Sequence, residues 1–469
     1  MPPEQPLNAC IENRTYDEIQ IGESAMLSRT LEPKDIQLYA IVSGDVNPAH
    51  VDPEYASSSM FREVIAHGMW GGSLISTVLG TQFPGPGAVY VDQTLHFARP
   101  VTIGDTVTVT ITCLKKFDHN KHIVFDCVCT NQDGLEVIRG TAEVKAPTEK
   151  IKRPRVAMPE VTIRDRQARY NQLLGITKGL AAIPMSVAHP CDAESLKGAL
   201  MARDAGLILP VLVGPEARIR ALAEQLGLSL HDCRIVNAPH SHAAAEIAVQ
   251  LARDGQVEAL MKGSLHTDEL MLAVIDKDHG LRTARRISHA FLMDVPTYPR
   301  PLMITDAAIN VEPTLEDKAD IVQNAIDLAR TLGMTEPKVA ILAAVETVNP
   351  KMRATLDAAA LCKMAERGQI TGGILDGPLA FDNAVSLVAA KTKGIRSAVA
   401  GQADILVVPD IESGNMLAKQ LEYLADALPA GVVLGTRVPI VLTSRADTAE
   451  TRSASCAIAV VMAHAKRKG

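Results

Sequence analysis

The chain has 469 residues, 47% hydrophobic and 22% charged, which excludes wholesale disorder and suffices for more than one core. Aromatic residues make up 3%, and Trp70 is the single tryptophan, so a base-stacking surface for nucleic acid is excluded. The net charge of −7 is unevenly spread, with 11 Lys/Arg against 19 Asp/Glu in residues 1–150 and 36 against 35 in residues 151–469. This places a domain boundary near residue 150 and gives neither half the character of a polyanion-binding surface.

The N-terminus, MPPEQPLNACIENRTYDEIQ, is polar and acidic, unlike a signal peptide. No apolar run reaches the roughly 18 residues of a membrane span. Cys10, Cys113, Cys127, Cys129, Cys191, Cys233, Cys362 and Cys456 are scattered and form no C-x-x-C. Buried thiols, a reducing compartment and a cytoplasmic location away from membranes are expected.

Residues 35–60 mix helix and loop signals around the polar cluster SGDVNPAHVD. Phe61–Leu79 reads as one long helix, and the four glycines of its stretch VIAHGMWGGSLISTVLG imply close contact with a sheet or a ligand. Val89–Phe97, Thr106–Cys113, His122–Thr130 and Glu136–Lys145 alternate polar and apolar residues, the pattern of half-buried antiparallel strands, with a turn at Asp133-Gly134. One apolar helix followed by such strands predicts an α+β domain over 1–146, the sheet wrapped around the helix.

Residues 147–165 are rich in proline and basic residues and read as a linker. In 166–469, short β-like runs (Leu207–Val213, Ala259–Met261, Lys338–Ala343, Ile405–Val408, Ile440–Leu442) alternate with helices (His242–Asp254, Glu316–Leu332, Met352–Arg367). That alternation predicts a parallel α/β domain.

Two clusters carry chemistry. In Tyr39–Asp52, YAIVSGDVNPAHVD, a turn at Asn47-Pro48 would bring Asp45 and His50 together over one cleft. A carboxylate beside an imidazole suits general acid–base work, although a capping Asp and an exposed loop His would give the same spacing. In Val438–Glu450, VPIVLTSRADTAE, a strand runs into Ser444-Arg445 and then a helix. The end of a parallel strand before a helix is an anion-binding position, and an arginine there can hold phosphate, although a capping Ser with a surface Arg reads the same way.

The stretch Tyr39–Asp52, with VIAHGMWGGSLIS and LGTQFPGPGAVYVDQTLHFARPVTIGDTV, resembles the MaoC-like (R)-specific enoyl-CoA hydratases over about residues 15–146. The resemblance implies a hot-dog fold and syn addition of water to a trans-2-enoyl-CoA. It implies Asp45 and His50 as the catalytic pair and Asn47 as their support. The backbone N–H of Gly68, beside His67, would bind the thioester oxygen, which suits a helix N-terminus.

DGPLAFDNAVS (Asp376–Ser386), ADILVVPDIESGNMLAK (Ala403–Lys419) and TDAAINVEPTLEDKADIVQNA (Thr305–Ala325) resemble the phosphate acetyl/butyryltransferase family, from about residue 170 to the end. MKGSLHTDEL and RRISHAFLM resemble its butyryl-type branch. This implies reversible acyl transfer between CoA and phosphate. It implies two subdomains, divided near residue 300 at Pro296–Pro301, with a return near 450 and the terminal helix folded onto the first subdomain. Ser444 and Arg445 fall on the family's Ser-Arg pair, with Arg286, Lys262 and His266 as further ligand-binding candidates. One departure concerns the proton acceptor. The acetyl-type enzymes place a carboxylate seven residues after the Ser, whereas this chain has Thr451; Asp447 and Glu450 are the nearest carboxylates, and Asp447 matches the butyryl-type SRAD.

Together these imply a bifunctional homo-oligomeric enzyme acting on acyl-CoA, CoA, phosphate and acyl phosphate, with no resident cofactor or metal. The alternative is an active hydratase joined to a CoA-binding or oligomerising domain without turnover.

Overall fold

Polar–apolar alternation along Thr106–Phe117, His122–Thr130 and Glu136–Lys145 buries one face of each segment, and the three form the centre of an antiparallel sheet. They belong to the first of two units, Met1–Arg164 and Asp165–Gly469, in the computed structural model of the chain, which describes residues 10–159, 161, 163, 166–444 and 447–468.

The first unit runs β1 (Cys10–Glu12), β2 (Ser24–Thr30), α1 (Pro33–Ser43), α2 (Pro48–Val51), α3 (Pro53–Ser58), α4 (Gly68–Thr81), β3 (Val89–Gln93), β4 (His96–Phe97), β5 (Thr106–Phe117), β6 (His122–Thr130), β7 (Glu136–Lys145) and β8 (Lys152–Pro154). The sheet order is β2-β5-β6-β7-β3, with β4 also on β7. α4 buries Trp70, Leu74, Ile75, Val78 and Leu79 in one core with Val109, Ile111, Phe125, Cys127 and Val144 of the sheet. This is the sheet wrapped around one helix that the alternation predicted, and the hot-dog fold that the resemblance implied.

The helix is shorter than the sequence suggested: it begins at Gly68 rather than Phe61. Ile65 bridges Thr102, and the Ala66 N–H donates to the Val101 carbonyl at 2.8 Å, so the backbone before His67 is tied to another segment and cannot coil. The glycines serve close packing. A Cβ on Gly71 would lie 2.4 Å from Cδ1 of Ile138, and one on Gly140 would lie 1.9 Å from the Thr94 carbonyl oxygen.

Part of the segment read as a linker is ordered with this unit. β8 pairs antiparallel with β1, and the Asn13 side chain spans Glu149 O and Ile151 N. The reason is backbone pairing with the N-terminal strand, which the proline-rich composition does not disclose.

The second unit runs α5 (Arg166–Gly175), β9 (Ile183–Ala188), α6 (Ala193–Asp204), β10 (Ile208–Gly214), α7 (Glu216–Gln225), β11 (Arg234–Asn237), α8 (Ser241–Arg253), β12 (Ala259–Lys262), α9 (Thr267–Ile275), β13 (Ser288–Asp294) and β14 (Leu302–Thr305). It continues α10 (Leu315–Thr331), β15 (Lys338–Leu342), α11 (Arg353–Glu366), β16 (Ile374–Leu379), α12 (Phe381–Val385), α13 (Leu387–Thr392), β17 (Ile405–Val407), α14 (Ile411–Leu424), β18 (Leu428–Leu434), β19 (Ile440–Val441) and α15 (Ala449–Lys468). All its strands join one sheet, β11-β10-β9-β12-β19-β18-β13-β14-β17-β15-β16.

The sheet is mixed rather than parallel throughout. β11, β10, β9, β12 and β19 are parallel to one another, as are β14, β17, β15 and β16, but β18 and β13 enter antiparallel between the two groups. β13 also pairs antiparallel with β14, and β18 with β19. The chain leaves the first group after β12 and α9, runs along β13 between the groups, and enters the second group at β14 through the Pro296–Pro301 segment. The return falls between β18 and β19, ahead of residue 450. α15 packs on both groups: Cys456, Ala457 and Val460 join the core under β9 and β12, and Ala454 and Ile458 join that under β13 and β18. Among the described residues, no helix is long and apolar enough to cross a membrane.

Candidate active sites

α1 ends at Gly44, whose φ of +75° suits glycine and whose N–H caps Ala40 O at 2.8 Å. The chain then turns through Asp45. The Asn47 N–H donates to Asp45 Oδ1 at 3.2 Å, and the Asn47 side chain caps α2 by accepting from the Ala49 N–H at 3.1 Å. α2 carries His50 back toward the loop. His50 Nδ1 lies 2.9 Å from the Ile65 carbonyl oxygen, so Nδ1 bears the hydrogen and Nε2 is left as the basic nitrogen.

His67 joins them from the cap position of α4. It is 2% exposed; its Nε2 lies 2.9 Å from the Asp45 carbonyl oxygen and its ring 4.0 Å from that of His50. One donor atom from each of Asp45, His50 and His67 lies within 4.8 Å of the others, the single such gathering of His, Cys, Asp and Glu among the described residues. A pocket of about 400 Å³ opens beside them, lined by His50, His67, Gly68, Gly71, Phe97 and Ile138 among others. Gly68 is the first residue of α4, where a backbone N–H has no intrahelical acceptor and the helix dipole is positive. Thus Asp45, Asn47, His50, His67 and Gly68 converge. The sequence disclosed the residues but not the His67–His50 contact, which joins segments held together by the Ile65 and Val101 backbone bonds. The small residues of α4 do both things considered for them: Gly71 meets Ile138 and also lines the pocket.

In the second unit, β19 leads through Thr443 to Ser444. The Ser444 N–H donates to Asp447 Oδ2 at 2.7 Å, which ties the end of the β19 segment to the loop before α15. The Arg452 side chain, 0% exposed, lies beneath that loop. It donates to Lys262 O at 3.2 Å, Thr443 Oγ1 at 2.9 Å and Ser444 O at 2.8 Å. Burial pulls its guanidinium below the ordinary value, against the charges of Asp192 and Asp447. Asp447 is 4% exposed; burial pushes its carboxyl up, opposed by the Ser444 N–H bond and by Arg452, Lys419 and Lys262. On the other side of the strand, buried His289 places Nε2 3.2 Å from Leu442 O.

A pocket of about 700 Å³ lies over β13 and β18, where the two parallel groups meet. Ser444 and Asp447 line it from the β19 side, and Asn415, Lys419 and Glu422 from α14. Burial, then the Asp447 charge, raises the Glu422 carboxyl, while Lys419 opposes. Lys262, at the end of β12, is buried beside this loop. His266 is exposed at the start of α9, next to Thr267 of the pocket wall. Arg286 does not line the pocket: its Nε donates to Asn310 Oδ1 at 2.8 Å and its Nη1 lies 3.3 Å from Asp317, so neighbouring polar groups already hold it. Thr451 is buried, with its backbone N–H and its hydroxyl turned to Thr448. Arg445 lies outside the described residues. Sequence reasoning missed Lys419, Glu422 and Arg452, which no local spacing ties to Ser444.

Residues 240–460 match the family described as Phosphate acetyl/butaryl transferase, and residues 18–130 that described as MaoC like domain. A phosphate acetyltransferase of Rhizobium meliloti is 60% identical over 300 residues, 64% of this chain and 95% of that protein. The chain belongs to the phosphate acetyl/butyryltransferase family. It joins that family's fold to a MaoC-like domain within one polypeptide. The crystal structure of a branched-chain phosphotransacylase from Enterococcus faecalis V583 is 30% identical to this family member, covers 60% of it and 99% of itself, and superposes with a TM-score of 0.54. An R-hydratase from Pseudomonas aeruginosa is 39% identical, covers 33% of the chain and 100% of itself, with a TM-score of 0.33.

Proposed function

We infer that the chain is a bifunctional acyl-CoA enzyme: an (R)-specific trans-2-enoyl-CoA hydratase in the first unit and a phosphate acyltransferase in the second. The observation that carries this is a pair of pockets, one lined by His50, His67 and Gly68 with Asp45 gathered beside the two histidines, the other lined by Ser444 and Asp447 beyond the end of β19.

In hydration, His50 Nε2 and the Asp45 carboxylate hold one water between them. His50 takes a proton as the hydroxyl adds to C3, and the pair returns a proton to C2 on the same face. The Gly68 N–H receives the enolate charge on the thioester oxygen. In acyl transfer, a phosphate oxygen attacks the thioester carbon and the CoA thiolate leaves. The Ser444 hydroxyl stands where it can donate to the thiolate or the reacting carbonyl, and Arg445, on sequence grounds, neutralises phosphate. Neither step draws on a resident metal or nucleotide. The first product, a 3-hydroxyacyl-CoA, is itself a thioester, so the two steps in series would yield a 3-hydroxyacyl phosphate and free CoA. We further propose a cytoplasmic homo-oligomer acting in fatty-acid metabolism.

The test is phosphate-dependent CoA release from acetyl-, butyryl- and (R)-3-hydroxybutyryl-CoA, alongside crotonyl-CoA hydration, with the purified chain. Both activities are expected. Hydration without any phosphate-dependent CoA release would leave the second unit as a binding or assembly domain.

A further inference from the structure

Acyl transfer, the reading given above for the second unit and the premise here, needs a group that takes the CoA thiol proton. A free thiol has a pKa of about 8.5 and attacks as the thiolate. Thr451 offers a hydroxyl turned to Thr448, with no affinity for a proton near neutrality. Among the described residues, four titratable side chains line the pocket that holds Ser444: Glu412, Lys419, Glu422 and Asp447. Lys419 is cationic, and Glu412 is exposed at the start of α14, nearly three turns from Glu422. Asp447 is committed, because its carboxylate accepts the Ser444 N–H and thereby shapes the loop. Glu422 remains: half-buried, on α14 across the pocket, and near enough to Asp447 to feel its charge.

We propose that Glu422 is the proton acceptor for the CoA thiol, with Asp447 as the positioning residue for Ser444. In the direction from acyl phosphate, the Glu422 carboxylate takes the S–H proton and the sulfur bonds to the acyl carbon. The carbon–oxygen bond to phosphate then breaks, and phosphate leaves with the electron pair. In reverse, the protonated Glu422 returns the proton to the departing thiolate. Two charges act on it, Lys419 from α14 itself and Asp447 from the start of α15; Asp447 in turn feels Arg452 on α15, Lys419, and Lys262 at the end of β12. A carboxyl raised by burial and by a like-charged neighbour is a better match for a thiol than an ordinary one.

The experiment measures acyl-CoA formation by the full chain from CoA with acetyl and butyryl phosphate, across pH. Glu422→Gln is expected to lower kcat by about 10²–10⁴-fold with the KM for CoA changed by less than about threefold. Glu422→Asp keeps a carboxylate and is expected to recover at least about tenfold of that loss. Asp447→Asn removes the like charge, so the acid limb of the rate profile moves to lower pH. If wild type forms no acyl-CoA from either acyl phosphate, the transferase reading falls and this one with it. If wild type is active while Glu422→Gln keeps its rate and pH limb, or Glu422→Asp is as slow as Glu422→Gln, the role of Glu422 is overturned alone.

Discussion

The His67 ring stands 4.0 Å from that of His50, centroid to centroid, while its Nε2 meets the Asp45 carbonyl oxygen at 2.9 Å. One buried side chain thus touches both members of the acid–base pair and caps the helix whose first residue, Gly68, lines the same pocket. His67→Leu keeps bulk but removes the bond to the Asp45 loop. It is expected to lower the kcat of crotonyl-CoA hydration by about tenfold, roughly 1.4 kcal/mol of transition-state stabilisation. Asp45→Asn and His50→Ala, which remove the reacting groups, are expected to cost about 10²–10⁴-fold. Steady-state kinetics with crotonyl-CoA separates the two classes; an unchanged His67→Leu rate would remove His67 from the account.

Gly71 presses against Ile138, with 2.4 Å between an added Cβ and Ile138 Cδ1. The atom that must yield is the end of a side chain, so the first unit should survive Gly71→Ala with a loss of about 1–3 kcal/mol in chemical denaturation. Because both residues line the pocket, the variant should also discriminate against longer enoyl chains. Adding Ile138→Val should restore part of both losses, whereas an additive double mutant would show that the two do not meet.

Arg452 is buried under the Ser444 loop and donates to Lys262 O, Thr443 Oγ1 and Ser444 O. Arg452→Met strips three acceptors of their partner and removes one of the three cations that act on Asp447. A loss of about 3–5 kcal/mol is expected, the range for removing one member of a buried charged set. Urea titration followed by far-UV circular dichroism reads it, and the transition assigned to the second unit should be the one that moves.

Burial raises the carboxyls of Glu422 and Asp447 above their ordinary values. The protonated forms are therefore favoured by folding, and this contribution is full below the unfolded values and is lost as pH rises through the folded ones. Glu422→Gln removes one such group. Its Tm relative to wild type should climb as pH rises from the ordinary Glu value of 4.5 toward neutrality. A constant difference across that range would mean that the pocket does not raise Glu422.

Local signals carried much of this protein. Period-2 alternation located β6 and β7 to the residue, and amphipathic periodicity located α8, α10 and α11 to within one residue at each end. Such patterns follow from which face of one element meets a core, a property of neighbouring residues. The clusters SGDVNPAHVD and TSRAD were equally legible, because the turn between Asp45 and His50 and the bond between Ser444 and Asp447 are made within a few residues.

Tertiary structure decided the rest. The start of α4 moved to Gly68 because Ile65 and Ala66 pair with residues 101–102, far along the chain. The antiparallel entry of β13 and β18 depends on strand order, and a fully buried apolar strand looks alike in either direction. The approach of α14 to Ser444 follows from that order, since β13 and β18 form the floor between them. Residues such as Glu422, Lys419 and Arg452 acquire chemistry only through what is packed beside them. Sequence by itself determined the elements and the short motifs that local geometry closes; the fold determined which distant side chains share a pocket, because burial and charge act through space rather than along the chain.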